Sequence, residues 1–147
     1  MVELRTIRFT FHRGIAELHR TPLVSIVDDD ESIREAAKGL VRSLGYSAVA
    51  FGSAEEFLGS DHLGDTSCLI TDVQMPGLSG VELQRQLSEQ GHSMPIIFIT
   101  AFPEERIRKE VLETGAIDYL SKPFSEESLI GCLDTALKSH PGARTEQ

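Results

Sequence analysis

Cysteine is scarce in this chain: Cys68 and Cys132 are the only two in 147 residues, with no C-x-x-C spacing. That excludes a disulfide framework or thiolate metal site and leaves two buried small hydrophobes in a reducing compartment. No stretch approaches the ~18 apolar residues that a membrane span requires. The N-terminus has no continuous apolar core of the secretory kind, so a cytoplasmic location is expected. Positive charge is also short, with 14 Lys and Arg against 23 Asp and Glu and a formal net charge of -9. Arg5, Arg8, Arg13 and Arg20 outnumber Glu3 and Glu17 in the first twenty residues, so the remainder carries -11. An acidic body of this kind is repelled by phosphate backbones, which argues against direct nucleic-acid binding. A basic partner surface or a cation pocket suits it better. Glycine-rich phosphate loops are missing after the first apolar run, which argues against a nucleotide-binding protein. The five histidines match no metal spacing and read as surface residues. There is no internal repeat and no low-complexity segment.

What is present is alternation. Leu23–Val27, Ser47–Phe51, Ser67–Thr71, Pro95–Ile99 and Ile117–Leu120 are short apolar runs, nearly free of charge. Strands buried on both faces of a parallel sheet read this way. Helical patterns separate them. Ile33, Ala36, Ala37, Leu40, Val41 and Leu44 follow a helical period that stops before Gly45. Ser53 to Glu56 and Ser79 to Glu82 fit the capping box that opens a helix, and Gly91 and Gly115 stand where helices should end. A last helix after Ser125 should bury Leu129, Leu133, Ala136 and Leu137. Five β-α repeats predict an α/β fold, a doubly wound parallel sheet with helices on both faces. The expected domain is residues 22–138. Residues 1–21 read as an N-terminal extension, with Ile7, Phe9 and Phe11 alternating with Arg8 and Thr10, and residues 139–147 as a polar tail.

In a parallel sheet the strand C-termini share one edge, and ligands bind there. The first strand runs into Asp28, Asp29 and Asp30, the third into Asp72, the fourth into Thr100 and the fifth into Lys122. The second ends at Phe51-Gly52 with nothing ionic, as expected of a far edge. Three carboxylates about 5 Å apart repel by roughly 3 kcal/mol per pair at an effective dielectric of 20. Protonation or a hard divalent cation relieves this, and oxygen-only ligands select Mg²⁺ or a similar ion over zinc.

The run Val27-Asp28-Asp29-Asp30, the segment Thr71-Asp72-Val73-Gln74-Met75-Pro76-Gly77-Leu78-Ser79-Gly80, the step Ile99-Thr100-Ala101 and Lys122-Pro123-Phe124 resemble the response-regulator receiver domain of two-component systems. The texture of the second segment is most similar to the FixJ-type branch, and the resemblance covers about residues 22–138. It implies a flavodoxin-like (β/α)5 fold, five parallel strands in the order 2-1-3-4-5. It implies that Asp72 is the phosphoacceptor, attacking a phosphohistidine on a sensor histidine kinase or a histidine phosphotransfer protein. Asp28, Asp29, Asp72 and the Gln74 backbone carbonyl would hold Mg²⁺ or Mn²⁺, while Thr100 and Lys122 would engage phosphoryl oxygens. Lys122-Pro123 would be a cis peptide. Thr100 and Tyr119 would form the switch, Thr100 moving toward the phosphoryl group and Tyr119 turning inward. The remodelled face of the fourth helix, fifth strand and fifth helix would then meet a downstream target protein or a second copy. A self-modifying signalling domain is implied, not an enzyme with an external substrate. The small Ala101 would leave an opening for the phosphodonor. Gln74 and Phe102 stand at the two places that the resemblance implies tune acyl-phosphate lifetime, where a bulky Phe102 would shield against attacking water.

Each residue also has a plainer reading. Asp28 and Asp29 would serve as a helix-capping cluster, Asp72 as a turn residue, Lys122 as a solvated loop lysine, Thr100 as a cap and Tyr119 as core. Asp30 reads as the cap of the first helix. Two rival functions share the fold: a phosphatase with an aspartyl nucleophile, and a degenerate receiver that docks without phosphorylation. The first lacks a second acid/base, and the intact five-residue set opposes the second. With no helix-turn-helix pattern after residue 138, the chain itself is not expected to regulate a promoter. A single-domain regulator, a phosphorelay intermediate and the receiver of a longer transcription factor all remain open.

Overall fold

A computed structural model describes residues 21–139 of the chain. The expected extension and tail lie outside the described residues, except at their inner ends Thr21 and Ser139. The elements run β1 (Leu23–Val27), α1 (Glu31–Ser43), β2 (Ser47–Phe51), α2 (Ala54–Leu58), a 3-10 turn (Leu63–Asp65), β3 (Cys68–Asp72), α3 (Gly80–Glu89), β4 (Ile96–Thr100), α4 (Glu105–Glu113), β5 (Asp118–Ser121) and α5 (Glu126–Ser139). The last helix therefore continues one residue into the expected tail. All five strands are parallel, in the order β2-β1-β3-β4-β5. The order reverses between β1 and β3, which is where a doubly wound sheet opens a crevice at its C-terminal rim.

Strands β3, β4 and β5 begin and end one residue later than their apolar runs suggest. Polarity stops the run in sequence, but it does not stop the ladder: Asp72 pairs with Ile99, and Thr100 with Ser121. Asp72 and Thr100 are thus the last residues of rigid strands, not the first residues of loops.

Strand side chains alternate between two cores with period two. Val24, Ile26, Cys68, Ile70, Ile97 and Ile99 face one side, where Ala37 and Val41 of α1 and Leu129, Leu133, Ala136 and Leu137 of α5 cover them. Leu69, Ile96, Phe98 and Tyr119 face the other, under Phe57 of α2, Leu83 and Leu87 of α3 and Val111 of α4. Ala36 and Leu44, expected on the apolar stripe of α1, lie at its exposed margin. Both cysteines are free and buried. Burial pushes the Cys132 thiol up to about 12, aided by the Asp118 carboxylate 3.5 Å from its sulfur, so it stays a protonated hydrophobe.

Helix starts follow the sequence signals in all but one case. Asp30 caps α1 by accepting from Ser32 N at 2.9 Å. Ser79 and Glu82 form the reciprocal capping box of α3. At α2 the box is half formed: Ser53 Oγ accepts from Glu56 N, but the Glu56 carboxylate accepts from Gly52 N. Ser125 Oγ accepts from Ser128 N at the start of α5. Only α4 lacks a side-chain cap at its N-cap residue, Glu104, among the described α-helices. Gly45, Gly91 and Gly115 follow the C-caps of α1, α3 and α4 with positive φ, the conformation that glycine adopts without strain. No helix among the described residues is long and apolar enough to cross a membrane.

Candidate functional site

The rim residues named from sequence converge. Carboxylate oxygens of Asp28, Asp29 and Asp72 all lie within 4.8 Å of one another. Asp28 directly follows β1 and is fully buried, Asp72 closes β3 and is 4% exposed, and Asp29 is open to solvent. Lys122, directly after β5, reaches into this group. Its Nζ is 2.8 Å from Asp28 Oδ2 and 3.1 Å from Asp72 Oδ2. Asp30 stands apart, occupied with capping α1, so the three aspartates divide into two site residues and one structural residue.

The backbone fixes these positions. Asp28 Oδ1 accepts from Asp30 N at 2.8 Å, and the Arg34 guanidinium donates to the Asp28 carbonyl at 2.7 Å. Lys122 N donates to the Thr100 carbonyl at 2.7 Å, tying the ends of β4 and β5 together. The Lys122-Pro123 peptide is cis, as the resemblance implies. On the far side of Asp72, Gly80 N donates to the Val73 carbonyl at 2.8 Å and brings the start of α3 against β3. A Cβ built on Gly80 would overlap the Asp72 carbonyl oxygen, so only glycine fits there.

Charge dominates the chemistry. Burial and the neighbouring Asp28 raise the Asp72 pKa above the ordinary aspartate value, while Lys122 opposes that shift. Burial alone would lower the Lys122 pKa, yet its bonds to Asp28 and Asp72 hold it above the ordinary lysine value. Three carboxylates against one ammonium leave an excess of two negative charges, which a dication matches. Asp28 Oδ2 is buried and has no aligned hydrogen-bond donor, although the Lys122 ammonium lies 2.8 Å away. A buried carboxylate oxygen in that condition is suited to a hard cation. The donor set consists of oxygens alone, so the residues fit Mg²⁺ or a similar ion.

Thr100 is fully buried, with its hydroxyl engaged on both sides. Phe102 N donates to Oγ1 at 3.0 Å, and Oγ1 donates to the Gln74 side-chain oxygen at 2.8 Å. Ala101 and Phe102 are exposed, Phe102 at 68%. Tyr119 is buried, and its hydroxyl accepts from Glu104 N at 3.1 Å, which braces the start of α4. Tyr119→Phe should lower stability by about 1 kcal/mol, the net worth of one hydrogen bond, measured by urea denaturation.

Sequence reasoning missed three contributions: that of Arg34, the bond from Thr100 to the Gln74 side chain, and the steric demand on Gly80. Arg34 and Gln74 act through contacts between elements that no local pattern encodes. The spacing from Asp72 to Ser79-Gly80 carried a signal for the third, since a glycine opening a helix has to be there for its small size.

A doubly wound parallel domain with a lysine-bridged carboxylate cluster at its C-terminal rim and a threonine closing the next strand defines the class. Its residues 24–134 match the family model described as the response regulator receiver domain. The response regulator protein TodT of Pseudomonas putida is 42% identical over 126 residues, covering 86% of this chain and 56% of that protein. Among solved structures, the response regulator receiver protein from Burkholderia phymatum has a TM-score of 0.69 at 40% identity, covering 82% of this chain and 99% of that one. FixJ-N has a TM-score of 0.71 at 33% identity, covering 80% and 94%. The chain belongs to the response-regulator receiver family, with the flavodoxin-like fold of its neighbours. It spans little more than half the length of the TodT relative it matches.

Proposed function

We propose that this receiver takes a phosphoryl group onto Asp72 from a phosphohistidine of a sensor histidine kinase or a histidine phosphotransfer protein, in a reaction that needs Mg²⁺ or Mn²⁺. The observation that carries this reading is the meeting of Asp28, Asp29 and Asp72 oxygens within 4.8 Å under the Lys122 ammonium. Asp28, Asp29, Asp72 and the Gln74 backbone carbonyl would hold the cation, which supplies positive charge to the transferring oxygens when bound. A carboxylate oxygen of Asp72 forms the new P–O bond as the P–N bond of the donor breaks, and the electron pair leaves on the imidazole nitrogen. Lys122 pairs with one phosphoryl oxygen, and Thr100 donates its hydroxyl proton to another. The protein needs to contribute little else, because phosphoryl transfer is mostly positioning and charge stabilisation.

The working unit is residues 22–138, flanked by the 1–21 extension and the 139–147 tail, in a cytoplasmic protein. Modification adds a strong anion beside Thr100. The link from Thr100 through Phe102 to Glu104, which Tyr119 holds, supports a read-out on the α4-β5-α5 face, met there by a target protein or a second copy. The domain modifies only itself and turns over no external substrate.

Incubation with acetyl phosphate and Mg²⁺ tests the reading. Intact-mass spectrometry should show a single phosphoryl adduct that a chelator prevents. A folded protein that stays unmodified with Mg²⁺ in excess would overturn it.

A further inference from the structure

We propose that the Gln74 side chain is a positioning residue: it holds the Thr100 hydroxyl proton away from Asp72 and so opposes the phosphoryl-bound state. The inference rests on Asp72 being the phosphoacceptor, and it concerns the ground state that phosphorylation has to displace.

A threonine hydroxyl has one proton to donate. Phe102 N donates to Thr100 Oγ1 at 3.0 Å, and the proton is directed at Gln74 Oε1, 2.8 Å away. Thr100 is fully buried, so water does not compete for that proton. A phosphoryl oxygen on Asp72 would need the same proton. One proton cannot serve two acceptors, so Thr100 must release Gln74 before it engages the phosphoryl group. Gln74 comes from the loop after β3 and Thr100 from the end of β4, so this bond also ties the ends of two neighbouring strands together. The Gln74 side chain is otherwise exposed, and no other hydrogen bond holds it among the described residues. Its removal therefore disturbs little besides this contact.

The consequence is a bias in an equilibrium. A bond made only in the unmodified state lowers the affinity of the site for its charged ligand by the worth of that bond. One neutral hydrogen bond corresponds to roughly a three- to tenfold change in affinity.

The test uses Mg²⁺ with beryllium fluoride, which forms an acyl-phosphate-like adduct on a carboxylate and is followed by ¹⁹F NMR. Gln74→Met preserves side-chain length and removes the acceptor. It should bind beryllium fluoride about three- to tenfold more tightly than the wild type. In a Thr100→Val background, where there is no proton to hold, the same substitution should leave affinity unchanged. A packing effect of Gln74 would appear equally in both backgrounds. Equal affinity of wild type and Gln74→Met, or an equal gain in the Thr100→Val background, would overturn the proposal while leaving Asp72 as acceptor. Failure of the wild type to form any adduct would instead remove the phosphoacceptor reading, and this proposal with it.

Discussion

Asp72→Asn should abolish the phosphoryl adduct and, in metal-free protein, raise stability at neutral pH by roughly 1–2 kcal/mol. The two effects have one source. Asp72 lies within 4.8 Å of both Asp28 and Asp29, and 3.1 Å from Lys122. At an effective dielectric of 20 each carboxylate repels it by roughly 3 kcal/mol, and the ammonium attracts it by roughly 5 kcal/mol. The balance is against ionised Asp72, in keeping with the upward displacement of its pKa by burial and by Asp28. An acid whose folded pKa is raised contributes stability below its ordinary pKa, about 3.9, and loses that contribution as pH rises through the folded value. The Asp72 contribution to metal-free stability should therefore fall as pH rises above about 4, so the difference between Asp72→Asn and wild type should grow with pH over that range. Saturating Mg²⁺ should stabilise the wild type by mass action, about 1.4 kcal/mol at ten times the dissociation constant, and the variant far less. Urea denaturation across pH, with and without Mg²⁺, reads all three. A variant less stable than the wild type at neutral pH without metal would contradict this balance of charges.

Gly80→Ala should cost at least about 3 kcal/mol of folding stability, at the upper end of overpacking effects, and should also weaken cation binding. The added methyl group would overlap the Asp72 carbonyl oxygen and stand 3.2 Å from the Val73 Cα, both of them backbone that cannot rotate away. Relief requires α3 to withdraw from the end of β3, breaking the bond from Gly80 N to the Val73 carbonyl. That movement carries the Gln74 loop with it. Denaturant midpoints should fall, and Mg²⁺ titrations should show lower affinity in whatever protein remains folded. Gly131, with open space about its Cβ direction, supplies the control: alanine there should be neutral or slightly stabilising.

Much of this architecture is legible in sequence because two periods announce it. Short uninterrupted apolar runs rich in Ile and Val, such as Ile96–Ile99, read as strands covered on both faces, and the helix signals at Asp30, Ser79 and Ser125 each depend on a bond within three residues. The convergence of Asp28, Asp72, Thr100 and Lys122 follows from one topological rule about strand ends. Asp72 and Thr100 read from sequence as lying beyond their strands, because a polar side chain conceals a backbone that still pairs. The bond between Gln74 and Thr100 and that between Tyr119 and Glu104 are out of reach of sequence, because each joins elements whose relative placement no local spacing encodes. Tyr119 is legible as a strand residue, but the burial of its ring is a packing outcome.

The uncapped start of α4 has a dynamic consequence. The other α-helices begin on an oxygen from their own N-cap side chain, whereas α4 begins on a bond from Glu104 N to Tyr119. Fraying of a helix starts where its terminal amides are held least, and for α4 that hold comes from a ring on the neighbouring strand. Local opening at this point needs no movement of the sheet, so the first turn of α4 can melt and reform while the rim that carries the carboxylates stays rigid.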